Sequence, residues 1–304
     1  MSPYRCGESL RARRGLTLLE LIVSLGILAV MSTIVVTSLD PLADQARYEA
    51  TQRLLVELRR SVVGDAAQRQ INGQPIITGY LADTGTLPLA LTDLTSQPIG
   101  LAAYAVQSFD SDRDLVDDVR LTSGWRGPYL QFGPGQTALV DGWGRSLLIN
   151  PDGGEFDFTS LGSDTDSAAP EDGYRADLSV VMPQVQYRSD AVFRLFAIDD
   201  DTGARIDPSP SGTEQLGVML YAVGVAGGTT GAIEEVTLPV AASGSFEALK
   251  SNLPHGTAAA RAVMWSDADA DDQLDAGEAV LRSSYVHYFT IVGGADVRIE
   301  MELR

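Results

Sequence analysis

Residues 16–39 form an apolar run interrupted by one carboxylate, Glu20, and preceded by a basic stretch ending in Arg13-Arg14-Gly15. A helix needs about 20 apolar residues to cover a bilayer core of roughly 30 Å, so this run has the length of a membrane span. Glu20 is the anomaly within it, because an intramembrane acid is costly unless it finds a partner. Asp40-Pro41 then biases the chain away from straight α-helix and predicts a kink or local melt. Helical periodicity resumes over residues 43–67, with Thr51, Leu55, Leu58 and Val62 on one face and Glu49, Arg53, Glu57 and Arg60 largely on others. That apolar face is expected to pack on a sheet.

Between residues 71 and 121 the pattern breaks into turns at Gly73, Pro75, Gly79, Gly85, Pro88, Pro98 and Gly100, which argues against a long helix there. Glu155-Phe156-Asp157-Phe158 alternates as a half-buried strand does. Residues 192–198, 216–223, 233–240, 258–265, 279–292 and 297–303 are rich in β-formers and separated by Gly, Asp, Asn and Pro. Short strands at such spacing predict a mainly antiparallel β-sandwich. The expected fold class is therefore α+β, a long N-terminal helix on a small antiparallel sheet followed by a sandwich domain.

Composition narrows the function. The 304 residues allow two domains, and 44% hydrophobic content supports real cores. A formal charge of −19 opposes nucleic-acid binding and disfavours anionic lipid surfaces for the bulk of the chain. It suits a soluble exported domain, or one that collects divalent cations. By the positive-inside rule the basic stretch stays cytoplasmic and the C-terminal bulk crosses the membrane. The histidines are His255 and His287, and Cys6 is the single cysteine, so there is little basis for a zinc site or a Cys/His nucleophile. No Ser-based nucleophile elbow occurs either, and the chain is read as a non-enzyme.

Arg13-Arg14-Gly15-Leu16-Thr17-Leu18-Leu19-Glu20 and the apolar run after it resemble the class III leader of type IV pilins and type II secretion pseudopilins. The resemblance implies a prepilin peptidase that cuts between Gly15 and Leu16 and N-methylates Leu16, which stands where Phe is usual. It also implies that Glu20 pairs with the terminal amine of a neighbouring subunit and sets axial register in a filament. An ordinary signal peptide would have a shorter apolar core of about 7–15 residues with its cleavage site after it. A plain signal anchor has no need of Glu20 or of Gly15 before Leu16. Removal of residues 1–15 would take away Cys6 and leave a charge of −22.

Gly124-Trp125-Arg126-Gly127-Pro128-Tyr129-Leu130, then Asp141-Gly142-Trp143-Gly144-Arg145, then residues 154–164 resemble, in order, the major pseudopilin of type II secretion. That resemblance implies a pilin-like first domain and one calcium ion in the loop after the last of these strands, here residues 161–178. Asp164 and Asp172 are the side-chain ligands it implies, Glu171 the next, and Leu161 a carbonyl donor. Ser163, Thr165 and Ala168-Ala169-Pro170 depart from the usual spacing. The resemblance covers residues 15–178. The expected organisation is a leader at 1–15, a helix at 16–68 with its transmembrane part at about 16–39, a globular domain at 69–182, and the sandwich at 183–304.

Two further acidic stretches carry cation chemistry. In residues 267–278, acids Asp267, Asp269, Asp271, Asp275 and Glu278 occupy places one, three, five, nine and twelve of an EF-hand-type loop, with Gln273 seventh and apolar Leu274 eighth. Ca²⁺ takes six to eight oxygens, which such a loop supplies. Asp272 stands where Gly usually makes the sharp turn, and the flanking β-patterns place the loop at a sandwich edge rather than between helices. Its expected role is structural. Asp110, Asp112 and Asp114 with Asp117 and Asp118 resemble a calcium loop only superficially, because place twelve is Leu121.

Taken together, the expectation is a pseudopilin of a type II secretion system in the inner membrane, single-pass, with its C-terminal domains in the periplasm and later in a pseudopilus. The expected partners are the prepilin peptidase, other pseudopilin subunits, the inner-membrane platform and the membrane. The alternative is a minor type IV pilin-like subunit whose sandwich binds a surface ligand or a secreted substrate.

Overall fold

The computed structural model describes residues 17–304 except 66–76, 134, 135, 137, 151–154, 165–172, 229, 241–244, 272 and 276, and of residues 34–40 it describes the backbone alone. Helix α1 (Leu18–Val63) runs unbroken through Pro41. The expected melt at Asp40-Pro41 does not occur. A proline removes one i→i−4 hydrogen bond, and the turns on either side carry the helix across that loss.

The second half of α1 is amphipathic in the expected register. Thr51, Leu55, Leu58 and Val62 are buried, and the three apolar ones meet Phe156, Phe158 and Met182 in one cluster. The two Phe side chains come from β4 (Glu155–Ser160), the centre of an antiparallel sheet with β3 (Leu148–Asn150) and β5 (Leu178–Pro183). Alternation in β4 turns both rings to the helix, edge to face at 5.1 Å. Each such fully buried side chain stabilises the fold by about 1.5–3 kcal/mol. Between α1 and this sheet the described residues form a short helix, α2 (Tyr80–Thr84), a single 3₁₀ turn at Leu91–Leu94 and a two-stranded hairpin, with no long helix, as the Gly and Pro punctuation predicts.

After β5 the chain enters a sandwich. One sheet has β6 (Arg188–Ile198) at its centre, flanked by β10 (Glu247–Pro254) and β14 (Val297–Leu303), with β7 (Arg205–Ile206) on the end of β6. The other has β11 (Gly256–Ser266) beside β8 (Glu214–Val223), then β9 (Ile233–Pro239), while β12 (Val280–Ser283) and β13 (His287–Ile291) pair successive parts of the far edge of β11. Pairing is antiparallel except for β14, which runs parallel to β6. Ala191, Phe193 and Leu195 of β6 face Leu216, Val218, Leu220, Ala258, Ala260 and Ala262 across the core.

The outer face of the second sheet is covered as well. A hairpin of β1 (Ala105–Phe109) and β2 (Val119–Ser123) lays Phe109, Val119 and Leu121 on Met219, Tyr221, Val263 and Trp265. This third layer explains why β8 is apolar at nearly every position: strands buried on both faces lose the alternation of a half-exposed one.

Candidate functional site

At the start of α1, Thr17 is extended and its Oγ1 accepts a hydrogen bond from the Glu20 amide at 3.3 Å. Glu20 thus sits in the first helical turn, where a carboxylate complements the positive end of the helix dipole. Around and beyond it, Leu18, Leu19, Leu21, Ile22, Val23 and Leu25 are all exposed. A helix apolar around its whole circumference needs lipid or other helices to cover it. Among the described residues no helix is long and apolar enough to cross a membrane. The expected span includes Leu16 and residues 34–39, whose side chains lie outside the description. Gly15, beside the expected cut, also lies outside the described residues.

The two tryptophan motifs are clamps. Trp125 Nε1 donates to the Asp93 carbonyl at 3.0 Å, and Tyr129 OH donates to buried Asp83 at 2.9 Å. Arg126 pairs with the same Asp83 at 3.1 Å. Burial pushes the Asp83 carboxyl up, opposed by Arg126 and by the Tyr129 hydroxyl. Burial likewise raises Tyr129. In the second motif, Asp141 is buried and its Oδ1 accepts from the amides of Trp143 and Arg145, each at 2.9 Å, while Oδ2 accepts from Ser160 Oγ at 2.7 Å. The Gly142 amide donates to Thr51 Oγ1 of α1 at 2.9 Å. The motif therefore ties α1 to β4.

Arg145 extends that clamp to the first candidate cation loop. Its guanidinium donates to the carbonyls of Gly162 and Ser163 at 2.6 and 2.7 Å. Leu161 and Asp164 therefore sit in a turn anchored from outside, and the Ser163 amide bonds to the Tyr174 carbonyl at 2.9 Å. Glu171 and Asp172 lie outside the described residues.

The second loop is more fully described. It joins β11 to β12, and its stem is closed by Ser266 N donating to Ala279 O at 3.0 Å. Asp267, Asp269 and Asp271 bring carboxylate oxygens within 4.8 Å of one another. Glu278 folds back over the loop, accepting from Ala268 N at 2.8 Å and from Asp275 N at 3.0 Å. The Gln273 amide donates to Asp271 at 2.8 Å. Leu274 is buried in the cluster under the hairpin, as place eight of such a loop requires. The neighbouring Asp271 carboxylate raises the pKa of Asp269, with burial, Glu278 and Asp267 adding to it. These acids repel one another, and their donor set of hard oxygens fits Ca²⁺.

Sequence reasoning missed a third set of charges. Arg261, largely buried in the middle of β11, is bound to Asp118, to Asp112 at 2.7 Å and to Ser111 Oγ at 3.0 Å. Arg113 is bound to Glu235 of β9 and reaches the Leu274 carbonyl at 3.4 Å. Asp112 and Asp118 are thus engaged by Arg261, and this cluster together with the Arg113–Glu235 pair docks the hairpin on the sandwich. A single cation inside the apolar stretch around residues 258–265 was the signal that could have found them.

The prokaryotic N-terminal methylation motif matches residues 10–36. Over 165 residues the chain is 28% identical to type II secretion system core protein G of Xanthomonas campestris pv. campestris, an alignment covering 54% of this chain and 84% of that protein.

Proposed function

We propose that this chain, whose methylation motif and similarity to core protein G support a pseudopilin with an additional C-terminal β domain, is processed after Gly15 and assembled into a periplasmic pseudopilus that drives protein export. The observation that carries the reading is the similarity to core protein G, which spans most of that protein. It stands beside an α1–sheet unit built by the Trp125 and Trp143 motifs. In this reading Leu16 becomes the N-methylated terminus and Glu20 pairs with the corresponding amine of the next subunit, a charge pair strong enough in a low-dielectric setting to fix register. The exposed apolar turns of α1 are covered first by the inner membrane and then by neighbouring helices. The role is structural rather than enzymatic. The prepilin peptidase and the inner-membrane platform are the partners that processing and assembly require.

Calcium belongs to the same proposal. Asp267, Asp269, Asp271, Asp275 and Glu278, with the Gln273 carbonyl, would hold one ion that neutralises the loop and fixes Leu274 in its apolar seat. Leu161, Asp164, Glu171 and Asp172 would hold another in the first domain.

The sandwich supports a second reading. It lies outside the part of the chain expected to match a major pseudopilin, and its bulk hinders dense helical packing, which fits a low-copy or tip subunit that contacts a surface ligand or secreted substrate. Copy number along isolated filaments separates the two readings. The first is tested at Glu20. Glu20→Ala is expected to insert and be processed, as seen by a mass shift at Leu16, yet to leave the sheared filament fraction. Filaments of normal yield from this variant would overturn the register mechanism.

A further inference from the structure

The tip of the β1–β2 hairpin presents two apolar side chains to solvent in a fixed pose. Leu115 is 94% exposed and Val116 is 61% exposed. Leu115 has φ +72° and Arg113 has φ +60°, left-handed conformations that non-glycine residues rarely adopt. Hydrogen bonds hold them there. Asp110 accepts from the amides of Asp114 and Leu115 at 3.1 and 2.7 Å, and Asp114 accepts from Val116 N at 2.9 Å. Beneath the tip, Arg261 and Arg113 fasten the loop to β11 and β9. An exposed apolar pair in a strained pose, on a rigid base, is pre-organised for contact, and pre-organisation lowers the ordering cost of binding.

The charges around the tip select the partner. Asp114 and Asp117 bracket the apolar pair, giving an acid–apolar–apolar–acid sequence at most about 11 Å long. Such a tip is repelled by anionic lipid. The complementary pattern is present on this same chain. On the exposed side of α1, Val56 is 49% exposed between Arg53 and Arg60, themselves 80% and 65% exposed. Arg53 and Arg60 are seven residues apart, about 10 Å along a helix. These residues line one groove, together with Glu49, Gln52 and Glu57. Glu49 pairs with Arg53 at 3.3 Å and Asp65 with Arg60 at 3.9 Å, and such exposed pairs exchange at little cost.

We infer that the hairpin tip of one subunit docks on the α1 groove of a second copy, Leu115 and Val116 against Val56, with Asp114 and Asp117 opposite Arg53 and Arg60. The two surfaces differ, and within the filament reading the contact is heterologous and repeats from one subunit to the next. This inference rests on the filament reading above and names a contact within it.

Cysteine pairing tests it in the full chain, with Cys6 replaced by Ser. Two differently tagged copies are produced in the same cells, one carrying Leu115→Cys and the other Val56→Cys, and membranes are oxidised. The expected result is a disulfide-linked species containing both tags, at least tenfold above that from two Val56→Cys copies or two Leu115→Cys copies. Asp114→Asn, which keeps the acceptor for Val116 N, combined with Asp117→Arg is expected to reduce the link at least tenfold without changing the melting temperature. Arg53→Asp with Arg60→Asp in the other copy is expected to restore it. Absence of the mixed link, or a link indifferent to charge reversal, overturns the contact whether or not filaments form. Filament yield is scored separately by shearing, and loss of filaments with the link intact counts against the filament reading alone.

Discussion

Gly142 has no room for a side chain: a Cβ built there would lie 2.1 Å from the Arg47 carbonyl oxygen of α1. Its amide also donates to Thr51, so α1 and the Asp141–Arg145 turn approach as closely as two backbones can. Gly142→Ala is expected to destabilise the first lobe by about 1–3 kcal/mol, the cost of forcing packed elements apart, read as a lower urea midpoint. His255 gives a pH prediction. It is buried where the turn after β10 meets the end of α1, in a cavity it shares with Arg59, Arg60 and Asp65, and burial lowers its pKa from 6.5 to about 4. A histidine kept neutral in the native state favours folding fully above pH 6.5, and that contribution is lost as pH falls toward 4 because the unfolded chain takes up the proton first. The loss amounts to at most about 3 kcal/mol. Urea midpoints from pH 7 to pH 4.5 are expected to fall more steeply for the parent than for His255→Gln, and equal slopes would remove His255 from the acid response. The sequence marked Gly142 through its tryptophan motif. It gave no sign of His255, because burial of a loop residue depends on two lobes meeting.

At the scale of elements, periodicity was most informative where one element buries one face. The stripe of Thr51, Leu55, Leu58 and Val62 and the alternation of Phe156 and Phe158 are both local patterns, and both faces pack as read. The hairpin of β1 and β2 was not legible, since its apolar residues answer to Met219, Tyr221 and Trp265, far along the chain. The acidic loop of residues 267–278 lies between these cases. Its spacing was readable, whereas the link from its Leu274 carbonyl to Arg113 was not. If the loop holds calcium, 1 mM Ca²⁺ is expected to raise the melting temperature of the soluble part over that in chelator, because an ion that binds only the native state stabilises it by mass action. Asp267→Asn with Glu278→Gln is expected to abolish the part of that rise that comes from this loop. A melt indifferent to calcium in the parent would remove the metal from the proposal.

At the scale of the molecule, the two lobes share more than a linker. Ala102 N donates to Thr230 O at 2.7 Å, and Gly85, left-handed at φ +71°, lies against Val223 so closely that a Cβ would meet it at 2.7 Å. The hairpin is the largest of these ties: it leaves the chain before β3 yet completes the core of a sandwich that begins at β6. A chain ending at Pro183 would lose Tyr221, Val263 and Trp265 from under Val119 and Leu121. It would also lose Arg261 and Glu235, leaving Asp112, Asp118 and Arg113 without their partners. A two-stranded hairpin alone is marginally stable in water. Trypsin therefore distinguishes the two chains, because Arg113 and Arg120 lie in this hairpin. In the full chain Arg113 is tied to Glu235, and the Arg120 amide is bonded to the Tyr288 hydroxyl at 3.1 Å. Cleavage after these two arginines is expected to be at least tenfold faster in the shortened chain, while sites on the exposed face of α1 are cut at the same rate in both. Equal rates at Arg113 and Arg120 would mean that the hairpin holds its shape without the sandwich, and that the sandwich is an appendage rather than the support on which the tip is built.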